Sequence, residues 1–319
     1  MSAEAFEKPI SRVISNSEIN TWRRCQRQYF YSYDMGIEPI MSRKGRALMI
    51  GNIGHWTKQR YFEHLMENQG DFKGAKNIAM TWLAMYMADS ELVSVSEYAS
   101  LVMRKLDKYF DYFPELHPGA QILEVEKFYK VDLVDEFSYG FTGDLLMQDG
   151  PFIYLIDHKW TYDFWNQIEL DTKGAAQLSK YYWAMKHVLG KPIDMVMINE
   201  FRYRERVKNP MTPEEQFRET SWTPTVPAMN NLMIEQVRTS RRIINHRKLS
   251  FEEREATVER NIGTDICKYC DFATLCLAQL NGEDITEDIA TNFQAKTYDY
   301  NEAKGEVIVS PSGEAQRDY

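Results

Sequence analysis

A chain of 319 residues, 44% hydrophobic and 27% charged, can bury one large core or a core with a helical appendage. It has no apolar run long enough to cross a bilayer, and Met1 to Ile14 carries neither a signal-peptide stretch nor an arginine-rich presequence, so a cytoplasmic protein is expected. The net charge of −9 argues against a nucleic-acid coat protein, yet leaves room for an enzyme that grips nucleic acid in one groove.

Ser15-Asn16-Ser17-Glu18 has the capping-box spacing and predicts a helix that carries Trp22, Cys25, Tyr29 and Tyr33. Gly36 to Gly45 reads as a loop. Helices are expected over Ala47–Asn68, with His55 in its early turns, then Ala75–Met87 and Val95–Phe113, closed by Pro114 and Pro118-Gly119. The hydrophobic period then shortens, so Ile122–Val131, Phe137–Leu146 and Phe152–Trp160 read as strands, with turns at Asp135-Glu136 and Gln148 to Pro151. A helix over Thr172–Leu189, a strand over Ile193–Tyr203 and a long helix over Val226–Arg247 follow. From Gly282 onward the chain is polar outside Val307–Val309 and is expected to be loosely attached.

That order predicts an α/β fold, a small mixed sheet flanked by helices. The expected divisions are an N-terminal helix and loop (1–46), a helical region with the histidine (47–120), the α/β core (121–225), a C-terminal helix with clustered cysteines (226–281) and a polar tail (282–319).

Asp157 and Lys159 are two apart on a strand and share a face, with His158 turned away. A hairpin at Asp149-Gly150 would bring Asp144 to the same end of the sheet. Two carboxylates and a lysine suit phosphodiester hydrolysis: hard oxygens hold Mg²⁺ or Mn²⁺, and a lysine orients water or steadies an oxyanion. Taken alone, Asp-x-Lys also fits a surface salt bridge. The neighbours add weight. Gly51 and Gly54 precede His55, Glu126 sits on the preceding strand, and Gln177 and Tyr181 share one helix face.

The four cysteines are unevenly placed: Cys25 stands alone, while Cys267, Cys270 and Cys276 form a C-x2-C-x5-C loop. Three thiolates in a metal-binding loop want a fourth ligand, and zinc and [4Fe–4S] both accept four cysteines. Buried free thiols are the bland alternative.

The ordered set Gly51-x-x-x-His55, Glu126, Gly143-Asp144, Asp157-x-Lys159, Gln177-x-x-x-Tyr181 and Cys267-x-x-Cys270-x5-Cys276 resembles the RecB-type branch of the PD-(D/E)XK nucleases. The likeness is greatest to its iron–sulfur members, such as the CRISPR-adaptation exonuclease and the AddB nuclease domain. It implies a restriction-endonuclease-like core whose N- and C-terminal helical segments join at a four-cysteine cluster. It further implies metal ligation by His55, Asp144, Asp157 and the His158 carbonyl, catalysis by Lys159, and positioning by Gln177 and Tyr181 with support from Glu126. The resemblance favours a [4Fe–4S] cluster on Cys25, Cys267, Cys270 and Cys276, with structural Zn²⁺ as the alternative. His158 departs from the short residue or tyrosine usual between acid and lysine. An imidazole ligand would favour Mn²⁺ over Mg²⁺.

Basic groups offer a DNA footprint: Arg23, Arg24 and Arg27; Arg43, Lys44 and Arg46; Arg202, Arg204, Arg206 and Lys208; and Arg238, Arg241, Arg242, Arg247 and Lys248. Interleaved rings, Trp160 and Tyr162 among them, suit stacking on unpaired bases. The expected activity is a DNA exonuclease preferring single-stranded ends, in recombination, repair, phage or CRISPR-like processing, with Tyr181 also near the strand. A helicase or integration partner and an oligomer are both compatible with the sequence. The competing class is a non-catalytic nucleic-acid-binding scaffold that retains the fold and the cluster.

Overall fold

The computed structural model describes residues 13–40, 45–89, 93–134, 137–206 and 211–296. Arg43, Lys44, Lys208, the Asp135-Glu136 turn and Val307–Val309 lie outside the described residues.

Strand β1 (Val13–Ser15) leads into α1 (Asn16–Arg24), where the Ser15 hydroxyl accepts the Glu18 amide at 3.1 Å. The helix stops earlier than its hydrophobic pattern predicts. Cys25 is extended (φ −165°, ψ 118°), and the Arg27 amide donates to the Glu259 carbonyl at 3.0 Å instead of back along the helix. Helicity resumes in α2 (Gln26–Tyr29) and a π-helical turn, Phe30–Asp34, before β2 (Ile37–Pro39).

Helices α3 (Gly45–Glu67), α4 (Phe72–Asp89) and α5 (Val93–Leu116) follow. Pro114 does not close α5. It sits in the last turn, where its missing N–H costs one bond, and the His117 amide still reaches the Phe113 carbonyl at 2.9 Å. Strands β3 (Gln121–Val134), β4 (Phe137–Asp149) and β5 (Phe152–Thr161) come next, with Gly150 at φ +57° in the turn between the last two.

The helix expected from Thr172 starts earlier, at a capping box between Asn166 and Glu169. It runs as α6 (Gln167–Glu169), a π-helical turn (Leu170–Ala175), α7 (Ala176–Trp183) and a second π-helical turn (Ala184–Val188). Then come β6 (Met195–Arg202), α8 (Pro213–Gln216), β7 (Phe217–Trp222) and α9 (Val226–Arg247). The C-terminal part holds α10 (Phe251–Thr257), α11 (Thr264–Cys267), α12 (Ala273–Leu280), α13 (Thr286–Asn292) and β8 (Phe293–Ala295).

The chain divides into two compact units. The larger comprises residues 46–129 and 142–232. Its sheet is mixed: β4 pairs antiparallel with β5 (Leu145 opposite Ile156), β5 parallel with β6 (Asp157 opposite Ile198), and β6 antiparallel with β7. A parallel pair needs a crossover, and the helical run 167–188 supplies it. Buried Ile53, Tyr61, Phe62 and Phe110 from the helices join Ile156 and Phe201 from the sheet in one core. Tyr61 and Phe110 stack at 4.1 Å.

The smaller unit comprises residues 1–45, 130–141 and 233–319. In it β1 runs parallel to the first residues of β4, and β2 pairs with β8. Glu18 is buried, accepts from Tyr29 Oη at 2.8 Å and pairs with Arg247. Asp34 takes His246 at 2.7 Å and Arg254 at 2.8 Å. These ion pairs tie the N-terminal segment to the end of α9 and to α10. The stretch after Gly282 is likewise attached as far as Lys296. Ile289 is buried, Phe293 stacks on Phe272 at 5.4 Å, and β8 completes a strand pair, so sparse apolar residues at the right spacing were enough. Among the described residues no helix is long and apolar enough to cross a membrane.

Candidate active site

The site lies within the larger unit, where β5 meets α3. A Cβ added to Gly54 would fall 2.2 Å from the Trp160 indole, so only glycine lets α3 approach β5 this closely; Gly51 has open space instead. That approach delivers His55. Its Nε2 stands 3.0 Å from the His158 carbonyl oxygen, and its Nδ1 is 3.3 Å from Glu126 Oε1 and 3.5 Å from Asp144 Oδ2. The His158 amide donates to Asp144 Oδ2 at 2.8 Å, which fixes that carboxylate across the β4–β5 hairpin. Glu126 has φ +44°, a left-handed conformation that L residues reach at a cost of about 1–3 kcal/mol. The strain falls on the residue whose carboxylate completes the group. One ligand atom each from His55, Glu126 and Asp144 lies within 4.8 Å of the others.

Asp157 stands beside this group. Its Oδ2 is 2.7 Å from Lys159 Nζ, and its Oδ1 accepts from Gln177 Nε2 at 3.2 Å. Gln177 also donates to Tyr181 Oη at 3.1 Å. Burial raises the pKa of both Asp144 and Asp157, offset in part by His55 and Lys159 respectively. Burial pulls Lys159 down, but Asp157 and Asp144 outweigh it and hold the ammonium charged. The His158 ring stacks on Phe62 at 5.7 Å, and burial pushes its pKa well below the ordinary value, so the ring is neutral. Two hard carboxylates, an imidazole and a main-chain carbonyl, set where burial penalises carboxylate charge, form a donor set that fits Mg²⁺ or Mn²⁺.

The sequence profile of the PD-(D/E)XK nuclease superfamily matches residues 13–277. The chain belongs to this superfamily. Membership implies metal-dependent nuclease activity with DNA as substrate. No curated protein matches the sequence. A solved structure titled "Crystal structure of SSO0001" aligns over 86% of this chain and 90% of that one, at 12% identity and a TM-score of 0.37.

In the smaller unit of the nuclease, all four cysteines line one apolar cavity of ≈40 Å³ that opens in part to solvent. All four are free, and Cys25 sits with extended backbone angles at the junction of α1 and α2. Burial raises the Cys270 pKa; the Phe272 amide and Arg24 lower it, and the adjacent Cys25 and Cys276 raise it. Four cysteines lining one cavity suit a group held by four thiolates.

Several of the basic residues expected at DNA make contacts within the nuclease, while Arg238, Arg241 and Arg242 on α9 are exposed. Arg27 is buried and donates to the Glu255 carbonyl at 2.9 Å, Arg24 to the Ile266 carbonyl at 2.8 Å, and Arg23 to Thr239 at 3.1 Å. Arg202 and Arg204 share Asp163, at 3.5 and 3.1 Å, and Arg202 lies over the Phe164 ring. Tyr181 is buried and reaches the site through Gln177. One residue went unmarked in the sequence: Lys58, buried on α3 one turn past His55. Its signal is faint, a lysine at helical spacing from Tyr61, Phe62 and Leu65.

Proposed function

We propose that this nuclease is an exonuclease that degrades single-stranded DNA from its ends. Mn²⁺ or Mg²⁺ would be held by His55, Asp144, Asp157 and the His158 carbonyl, with Glu126 as a further carboxylate. The convergence of His55, Glu126 and Asp144 beside the Asp157–Lys159 pair carries the reading.

The bound ion would polarise the scissile phosphate and make a water more acidic. Lys159 Nζ would orient that water or meet the charge that develops on the phosphate, while Asp157 holds the ammonium in place. Gln177 fixes Asp157, and Tyr181 fixes Gln177. The exposed rings of Trp56, next to His55, and Tyr162, three residues past Lys159, would stack on unpaired bases. Duplex unwinding would fall to a helicase or recombination partner.

The cysteine cavity would hold a [4Fe–4S] cluster that fastens Cys25 to the late loop. A cross-link closing so long a loop is worth on the order of 5 kcal/mol.

The test uses labelled single-stranded DNA, linear and circular, with Mn²⁺ or Mg²⁺. Stepwise loss from linear ends with the circle left intact is expected. Efficient cutting of the circle would overturn the exonuclease reading.

A further inference from the structure

Lys58 is 1% exposed, and its Nζ has no hydrogen-bond partner among the described residues. The ammonium lies 4.1 Å from the centroid of the Phe201 ring and 5.9 Å from that of Trp160. The His158 ring edges the same Phe201 at 5.8 Å, and neither of its nitrogens has a partner. A methionine would fill this apolar layer without burying an unpaired charge. Packing alone therefore gives no reason for a lysine here.

The charges that face it give one. Asp144, Glu126 and Asp157 attract the ammonium through space, and Lys159 opposes it. We propose that Lys58 is a positioning residue for the metal site. Its buried charge balances the three carboxylates before an ion arrives and lowers the affinity for the ion that replaces it. The inference rests on the reading of His55, Glu126, Asp144 and Asp157 as the metal site. With no partner but aromatic faces, Lys58 acts by field and leaves every carboxylate oxygen to the ion and to Lys159, Gln177 and the His158 amide. Field effects of this kind are strong in a layer that excludes water.

The experiment is calorimetric titration of Mn²⁺ into the full-length holoprotein at pH 6.5, without DNA. Wild type is compared with Lys58→Met, Lys58→Gln and Asp144→Asn. Both Lys58 variants are expected to bind Mn²⁺ about fivefold or more tightly than wild type, since each removes a like charge from the ion's surroundings. Lys58→Met is also expected to melt at a higher temperature without metal, as replacing a buried unpaired charge allows. Unchanged or weaker Mn²⁺ binding in both variants would overturn the proposal, and with a lowered melting temperature it would assign Lys58 a packing role only. If wild type itself takes up no Mn²⁺, or matches Asp144→Asn, the reading of the metal site fails and this inference falls with it.

Discussion

Lys159 Nζ stands 2.7 Å from Asp157 Oδ2, and Gln177 secures the other oxygen of that carboxylate at 3.2 Å. The lysine is aimed by a carboxylate that is itself held from α7. Lys159→Met should lower the cleavage rate by roughly a hundredfold or more, and Gln177→Ala by roughly tenfold. Both variants should keep the wild-type circular dichroism. Full activity in Lys159→Met would remove the lysine from the mechanism.

Gly54 sets how closely α3 meets β5. In Gly54→Ala the new methyl must displace the Trp160 indole. Overpacking of this kind costs about 1–3 kcal/mol, so the variant should melt several degrees lower and lose activity as His55 shifts. The same change at Gly51, which faces open space, should leave both nearly unaltered.

His117 links two carboxylates, Asp149 at 2.7 Å and Glu219 at 3.0 Å. Burial opposes its charge, but Glu219 and then Asp149 outweigh burial and raise its pKa. A raised histidine pKa stabilises the fold fully below the unfolded value of about 6.5, and that stabilisation is lost as pH climbs through the folded value. The melting-temperature gap between wild type and His117→Gln should be widest near pH 6 and narrow toward pH 9. A gap constant with pH would contradict the assignment.

The cysteine cavity and the metal site lie in different units, so their losses should separate. Cys267→Ala, prepared without oxygen, should lose visible colour and melt several degrees lower. Asp157→Ala should keep colour and stability and lose cleavage. A colourless wild-type preparation rich in zinc would instead place Zn²⁺ on the thiolates.

Local signals were readable in the sequence and long-range ones were not. The Ser15 cap, the Val226–Arg247 helix and the turn at Gly150 depend on neighbours within a few residues. Asp157 and Lys159 could be paired from strand alternation alone. The break at Cys25 could not, because it turns on a hydrogen bond from Arg27 to Glu259. Strand β7 was equally hidden, since its polar Arg218 is there to pair with buried Glu200. The backbone strain at Glu126 and the burial of Lys58 leave almost no local trace. Arg24 and Arg27 donate to main-chain carbonyls within the protein, a detail that composition does not carry.

The central claim is tested most directly by Mn²⁺-dependent release of nucleotides from end-labelled single-stranded DNA. Wild type is set beside Asp144→Ala and Asp157→Ala, each confirmed to be folded. Wild type should degrade the strand only with the divalent ion, and both variants should lose at least about two orders of magnitude in rate. Degradation that survives chelation, or variants that match wild type, would contradict the account.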